Sequence, residues 1–221
     1  MQSEKKTMNN PVLDEIANTI SEKFDRMERA RDQAYLLHRQ AIKFSGLSIK
    51  AIHRNEEENA RKLFQQARDN VLQAKEALKD FPELANSGFN IDAQKEVAEA
   101  AATIAIITGS PIPSPNELSV AYSAYVNGLG EAVGELRRFV LDTLRSGSDR
   151  DVEPFLIIMD DIYYMLASMD YPDAITSGLR RTADVSRSLI EKTRGDLTNH
   201  LQLKNLRQEM ARLDEHLKLS S

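Results

Sequence analysis

Residues 96–107 constrain the fold of this chain more than any other segment, because they have the pattern of a helix that is apolar on almost every side. Such a helix packs inside a bundle, so other elements must surround it. The rest of the chain supplies helices: only 9 Gly and 7 Pro occur, and strict two-residue alternation is hardly seen. At 221 residues the chain can bury a sizeable core. We therefore predict an all-α, single-domain bundle of about six to seven helices, without a sheet.

Turn-forming residues predict the limits of the helices and of the domain. The expected helices cover residues 11–45, 46–79, 91–108, 114–145, 152–169 and 173–219. Gly46 is a possible break between the first two segments, and Gly195 is expected to interrupt the last. The pattern Ser-Pro-Asn-Glu at residues 114–117 is a capping box and marks a helix start. We assign residues 1–10 to a flexible N-terminus and residues 11–219 to the bundle.

Two carboxylate pairs mark a candidate site on these helices. Glu96 and Glu99 are three residues apart, and Glu131 and Glu135 are four apart, so each pair occupies one face of its helix. Acidic residues are seldom fully buried without a partner. If the two helices pack together, four carboxylates converge on one spot, and their repulsion then requires a cation.

The first pair also has a purely structural explanation. Glu96 and Glu99 would then lie on a narrow solvated strip near the start of their helix, where acids interact favourably with the helix dipole. The second helix, however, carries Gly128, Gly130 and Gly134, each of which costs roughly 1 kcal/mol relative to Ala in a helix interior. We interpret these glycines as places where another backbone or a ligand approaches closely, which favours the functional explanation.

The available ligands indicate which metal such a site would hold. No spacing places a histidine beside either pair, which disfavours a ferritin-like di-iron site; the four histidines are His38, His53, His200 and His216. All-carboxylate sites suit Mg²⁺ or Mn²⁺. Such ions commonly activate water against a phosphodiester, so phosphoryl chemistry is expected. The sequence contains no glycine-rich phosphate loop, nucleophile elbow or zinc motif.

Basic residues form a row in the first third of a chain that is otherwise acidic. The net charge is −5, and residues 82–178 carry 15 acidic but only 5 basic residues. Basic residues at steps of four and seven form a single stripe if the helix continues past Gly46: Arg39, Lys43, Lys50, Arg54, Arg61, Arg68, Lys75 and Lys79. This stripe is either a solvated helix face or a track for phosphates. We select its first four members as candidate nucleic-acid contacts.

Composition also bears on the compartment. The chain has no Cys, which excludes disulfides and thiolate metal sites and fits a reducing cytoplasm. No apolar signal core follows the first residues, and no run approaches the roughly 20 apolar residues of a membrane span. We expect a soluble, cytoplasmic protein without a membrane partner.

Several segments together resemble the translin/Trax family. Residues 125–138, YVNGLGEAVGELRR, resemble the family helix YL-G---L-GEL-R. Residues 34–39, AYLLHR, are similar to the Trax segment FLLHR, and residues 95–100, KEVAEA, to the Trax motif QEYVEA, which translin lacks. Residues 179–181, LRR, and residues 192–195, KTRG, follow at about the spacing of the family's LRK and IRG segments. The resemblance covers nearly the whole chain and is closer to the catalytic Trax branch, in a prokaryotic or archaeal form.

This resemblance implies a translin-like seven-helix bundle, a closed octamer-like shell with acids facing its interior, and Mg²⁺-dependent endonucleolytic cleavage of single-stranded RNA. It places Glu96 and Glu99 on catalytic acids of Trax. Glu131 falls where Trax has a catalytic Asp, which lengthens the ligand arm by one methylene. Glu135 matches the acid of GEL in both branches, so it is either a ligand or a structural residue.

We therefore predict a homo-oligomeric, octameric endoribonuclease in which Glu96, Glu99 and Glu131 bind Mg²⁺, or Mn²⁺, and polarise a water, with Glu135 in support. Basic side chains of the first two helices would hold single-stranded RNA, or DNA. Two alternatives stay open. One is a non-catalytic RNA- or DNA-binding shell whose acids are remnants, and the other is a helical scaffold with neither activity.

Overall fold

A computed structural model of the chain describes residues 10–85, 88–148 and 150–219, and these contain helices and no strand. The helices are α1 (Pro11–His53), α2 (Glu57–Ala77), α3 (Pro82–Ala85), α4 (Gly88–Thr108), α5 (Pro115–Leu118), α6 (Tyr122–Arg145), α7 (Glu153–Ala167), α8 (Asp173–Thr176) and α9 (Leu179–Leu219). Three of them, α3, α5 and α8, are single turns. The all-α prediction is confirmed, with six long helices in the described part of the chain. The predicted flexible N-terminus lies outside the described residues, except for Asn10, whose side chain caps α1.

The breaks between helices differ from those predicted at glycines. α1 runs through Gly46, and the first break falls at Asn55, which has a left-handed φ of 60°. α9 runs through Gly195, and the break before it lies at Ser177 and Gly178, with φ of 53° and 89°. Both predicted interruptions are wrong. A single glycine costs a helix about 1 kcal/mol, which the packing of a long helix outweighs.

The segment predicted as one helix, residues 114–145, is divided into α5 and α6. The capping box forms, because Ser114 Oγ accepts from the Glu117 N–H and the Glu117 carboxylate accepts from the Ser114 N–H at 2.7 Å. It starts only the four-residue α5, since Ser119 adopts a left-handed φ of 58° and α6 begins at Tyr122. A serine in this conformation leaves no signal comparable to that of a glycine.

α4 is the central helix of the bundle. It packs against α1, α2 and α6, and α6 packs in turn against α7 and α9. The alanines of α4 and its Ile104 and Ile107 are buried, as the apolar pattern predicts, whereas Glu96 and Glu99 are partly exposed. The helix ends at Thr108, before a left-handed glycine, as expected.

Two glycines of α6 lie close to neighbouring helices. A Cβ on Gly128 would lie 2.6 Å from the backbone oxygen of Lys95 on α4, and a Cβ on Gly130 would lie 2.2 Å from Cγ2 of Thr182 on α9. The predicted close approach of another backbone is confirmed at Gly128, whereas the close neighbours of Gly130 are side chains. At Gly134 the prediction is wrong, because the nearest atom to an added Cβ would be 3.7 Å away, an ordinary contact.

The first half of α1 and the second half of α9 leave large apolar side chains exposed. These side chains are 47–62% exposed: Val12, Leu13, Ile16, Ile20 and Phe24 on α1, and Leu201, Leu203, Leu206, Met210 and Leu213 on α9. Large exposed apolar surfaces typically mark contact sites. Within the described residues, no helix combines the length and the apolar character that a membrane crossing requires.

Candidate metal centre

Three of the four predicted carboxylates meet in space. Glu96 and Glu99 project from α4 and Glu131 projects from α6, and one oxygen of each lies within 4.8 Å of the others. The three-residue spacing puts the first two on one face of α4. The glycine contact of α6, at Gly128, brings Glu131 alongside. The predicted convergence is confirmed for these three residues, which we call the acidic cluster.

Burial and mutual repulsion disfavour the ionised form of the acidic cluster. Burial raises the pKa of Glu99 to about 8, and the charges of Glu96, Glu131 and Glu135 contribute to this rise. Burial also raises the pKa of Glu96, with the charge of Glu131 as the next cause. Without a cation, Glu99 therefore holds a proton at neutral pH. A bound cation would relieve both effects.

One lysine partly compensates the cluster. Lys95, which directly precedes Glu96 in the sequence, donates a hydrogen bond from Nζ to Glu131 Oε1 at 2.7 Å. Partial burial disfavours the ammonium, but the hydrogen bond and charge of Glu131, followed by the charges of Glu96 and Asp92, outweigh it and raise the pKa of Lys95. The side chain therefore stays charged, and one positive charge faces three carboxyl groups.

Glu135 has partners of its own, one turn further along α6. His53 Nε2 donates to Glu135 Oε2 at 2.6 Å, and Arg138 Nη1 lies 3.7 Å from the same oxygen. The hydrogen bond from His53 holds the pKa of Glu135 below its usual value. The prediction that no histidine lies beside either carboxylate pair is therefore wrong. His53 on α1 contacts Glu135 on α6, although 82 residues separate them in the sequence. The role of Glu135 as a metal ligand stays a prediction.

The acidic cluster opens into a cavity of about 860 Å³. The start of α9, with Arg181, Thr182 and Val185, and the turn that precedes it also line this cavity. Arg181 is exposed, and together with Lys95 it brings basic character to a cavity that otherwise carries acids. A volume of this size accommodates a ligand of a few hundred daltons, or part of a polymer.

Comparison with known proteins identifies the family. No family model matches the sequence. An uncharacterized protein of Methanocaldococcus jannaschii is 29% identical over 203 residues, which cover 91% of this chain and 90% of that protein. The protein in the structure of AfC3PO with duplex RNA is 31% identical in sequence to this chain, and the two structures superpose with a TM-score of 0.78. The match covers 87% of this chain and 98% of that chain. The chain belongs to the translin/Trax family.

Further structures of translin/Trax proteins agree with this assignment. A crystal structure of AfC3PO is 30% identical with a TM-score of 0.78, over 87% of this chain and 98% of that chain. Apo-NeC3PO is 22% identical with a TM-score of 0.76, over 88% of this chain and all of that one, and this likeness shows the fold alone. These neighbours are C3PO proteins from archaea and fungi. The resemblance drawn from the sequence motifs is thereby confirmed.

The basic stripe of this translin/Trax protein is divided in two. α1 ends at His53, Arg61, Arg68 and Lys75 lie on α2, and Lys79 follows the end of α2, so the prediction of a single continuous stripe is wrong. Most of the residues beyond α1 have partners: Arg54 binds Glu56, Arg61 binds Glu57, Arg68 binds the Glu117 carbonyl and Lys79 binds Glu76. Among the described residues, no ion pair involves the exposed Arg39, Lys43 or Lys50. Arg39, Lys43, Lys50 and the paired Arg54 all stay candidate nucleic-acid contacts.

Three residues of this region belong to no motif that marks them as functional candidates. Lys95 and Arg181 line the cavity, and His53 binds Glu135. The sequence offered one signal, the position of Lys95 directly before an acidic motif. Only the packing of α1 and α6 against α4, and of α9 against α6, shows where the other two lie.

Proposed function

We propose that this protein is a metal-dependent endoribonuclease that cuts single-stranded RNA at the acidic cluster. The convergence of Glu96, Glu99 and Glu131 within 4.8 Å carries the proposal. Three carboxylates provide only hard oxygen donors, which fits Mg²⁺ or Mn²⁺ and disfavours softer metals. The raised pKa of Glu99 fits as well, because burial and then the charges of the neighbouring acids disfavour its ionised form, which a divalent cation would stabilise.

Each residue has a defined part in this mechanism. Glu96, Glu99 and Glu131 would hold the cation, and Glu99 must release its proton to do so. A divalent ion in such a site lowers the pKa of bound water and stabilises charge on a phosphate. Glu135 would support the site from the next turn of α6, where the hydrogen bond from His53 fixes the orientation of its carboxylate.

RNA is the proposed substrate because of the relatives and the cavity. AfC3PO has been solved with duplex RNA, and it is 31% identical to this chain over 87% of its length. In this chain, the exposed Arg181 on α9 lines the same cavity as the acidic cluster and would bind a phosphate there. The exposed residues of α1, Arg39, Lys43 and Lys50, would hold RNA further from the cluster. DNA is a second polymer that the same phosphate contacts would accept.

We propose that the functional form is a homo-oligomer, with a closed octamer as the expected assembly. The exposed apolar faces of α1 and α9 support association, since a monomer would leave them in water. Measurement of the mass in solution by light scattering tests this. A monomer at micromolar concentration would contradict it.

A single experiment tests the catalytic proposal. Pure protein is incubated with end-labelled single-stranded RNA, duplex RNA and single-stranded DNA, with Mg²⁺, with Mn²⁺ and with EDTA. We expect internal cleavage of single-stranded RNA with either metal and none with EDTA. The same assay on Glu99→Gln excludes a contaminating nuclease, because a contaminant would be unaffected by the substitution.

A non-catalytic RNA-binding shell is the second candidate. The pairing of Lys95 with Glu131 favours it, because an ammonium already occupies one oxygen of the acidic cluster. This candidate predicts RNA binding without cleavage under any metal condition. If the protein binds RNA and the RNA stays intact under every metal condition, the second proposal replaces the first.

A further inference from the structure

We propose that Lys95 binds a phosphate of the RNA, and that it becomes free to do so when a divalent cation displaces it from Glu131. The inference rests on the proposed function, because it takes the acidic cluster as the cation site and RNA as the ligand of the cavity. It adds a substrate-binding residue that is not one of the acids and that responds to the cation.

Lys95 lies where the acidic cluster meets the cavity. It lines the cavity, and its Nζ donates to Glu131 Oε1 at 2.7 Å. The side chain is 25% exposed, so it is not locked into the core. An ammonium offers three donors and no acceptor, and its four-carbon stem is flexible. Lys95 can therefore exchange one anionic partner for another without a change in the backbone.

A cation held by Glu131 would repel this ammonium. Like charges a few ångströms apart in a partly buried site interact strongly, and salt screens them little. The contact between Lys95 and Glu131 and the binding of a cation therefore oppose each other. Removal of the lysine charge must then tighten cation binding.

The displaced ammonium has two possible partners in the cavity. Asp92, one turn earlier on α4, is exposed and offers only a weak surface pair. An RNA phosphate at the acidic cluster would share the cavity with Lys95 on α4 and Arg181 on α9, which both line it. A phosphate bound by both Lys95 and Arg181 interacts with two positive side chains. This interaction is stronger than a single exposed pair between Lys95 and Asp92. The geometry thus favours the phosphate.

Two binding measurements test the proposal without relying on cleavage. Mn²⁺ affinity is measured by calorimetry on RNA-free protein, and affinity for single-stranded RNA is measured by fluorescence anisotropy with Ca²⁺ in place of Mg²⁺. The variants are Lys95→Gln and Lys95→Arg, and the matched control is Lys23→Gln, which removes an exposed lysine paired with Glu83 outside the cavity. Circular dichroism checks that each variant is folded.

We expect Lys95→Gln to bind Mn²⁺ about tenfold more tightly and RNA about tenfold more weakly than the unmodified protein. Lys95→Arg should behave like the unmodified protein in both measurements, and so should Lys23→Gln. Unchanged or weaker Mn²⁺ binding by Lys95→Gln overturns the proposal, since Lys95 would then serve to orient Glu131. Unchanged RNA binding overturns it too.

Failure of the proposed function is seen separately, in the unmodified protein. If that protein binds Mn²⁺ and RNA but leaves RNA intact, the catalytic proposal fails while both affinities of Lys95→Gln still decide the role of the lysine. If the unmodified protein binds no Mn²⁺, the cation site is wrong, and this inference is overturned with it.

Discussion

Glu131 and Glu135 are the same residue type one helical turn apart on α6, yet they lie in opposite electrostatic settings. Glu131 meets Glu96 and Glu99 and shares one lysine with them. Glu135 meets His53 at 2.6 Å and also has Arg138 nearby. Around Glu131, three carboxyl groups face one lysine. The single carboxylate of Glu135, by contrast, accepts a hydrogen bond from its own partner, His53.

This difference separates a candidate binding site from a structural pair. Surplus charge destabilises the protein unless a cation is bound, whereas a matched, partly buried pair is costly only when one partner is removed. The pKa values point the same way, since that of Glu99 is raised to about 8 and that of Glu135 is lowered. Substitutions in the two settings should therefore have opposite effects.

The largest expected effect is on catalysis. Glu99→Gln keeps the shape of the side chain and removes one ligand charge, so kcat/KM for RNA cleavage should fall about a thousandfold, or ~4 kcal/mol. The double variant with Glu96→Gln should be little worse, because residues that act as a unit are not additive. Glu58→Gln, an exposed acid on α2, is the control. Mg²⁺-dependent cleavage retained by the double variant would refute the mechanism.

The next effect is on the stability of the metal-free protein. Glu99 has a folded-state pKa above its unfolded value, so its contribution is fully present below about pH 4.5 and is lost as pH rises through about 8. The full difference between the two pKa values corresponds to about 5 kcal/mol, at about 1.4 kcal/mol per pKa unit. We expect a measured loss of about 3 kcal/mol, because solvent screens this partly exposed carboxyl group. Urea unfolding in EDTA between pH 5 and 9 measures it. Glu99→Gln should lack this loss, and the same slope in the variant would assign it to another group.

Glu135→Gln should act in the opposite direction. It weakens the hydrogen bond to His53, whose side chain is 5% exposed, and should lower the free energy of unfolding by about 2 kcal/mol at pH 7 in EDTA. The pKa of Glu135 is lowered, so this residue stabilises the folded protein above about pH 4.5. That stabilisation is lost as pH falls through the folded-state pKa. Urea unfolding of both glutamine variants side by side makes the comparison. Equal shifts of the same sign would remove the distinction between the two settings.

A smaller effect is expected where α9 lines the cavity. Arg181→Ala should weaken binding of single-stranded RNA about fivefold, or ~1 kcal/mol, and reduce the salt slope by about one. The matched control is Arg180→Ala, because the neighbouring Arg180 is exposed and pairs with Asp170 outside this cavity. Anisotropy titrations at several salt concentrations give both quantities. If the two variants behave alike, Arg181 has no special place in RNA binding.

The smallest effect is expected on the helix surface far along α1. Arg39→Ala should weaken RNA binding about twofold, uniformly across sequences, if that face holds phosphates. Arg54→Ala should do less, because Glu56 already binds its guanidinium at 2.7 and 3.0 Å. Identical binding of both variants and the unmodified protein at low salt would make this face an ordinary solvated surface.

The sequence by itself determined the helical class and most of the acidic cluster. Helix periodicity is local, so the apolar pattern of residues 96–107 indicated a central helix, and the three-residue spacing put Glu96 and Glu99 on one face. The glycines of α6 indicated close packing, which the structure shows at Gly128 and Gly130. Helix breaks were less predictable, because three of them use Asn55, Ser119 and Ser177 with positive φ.

Only the tertiary structure decided which charges have partners. Lys95 reaches Glu131 across 36 residues, and His53 reaches Glu135 across 82. Spacing along one helix carries no information about such pairs, since they depend on how α1, α4 and α6 pack and on their relative rotation. The sequence therefore supplied four similar glutamates. Packing brings Glu96, Glu99 and Glu131 together with only one compensating lysine, and it places Glu135 beside His53.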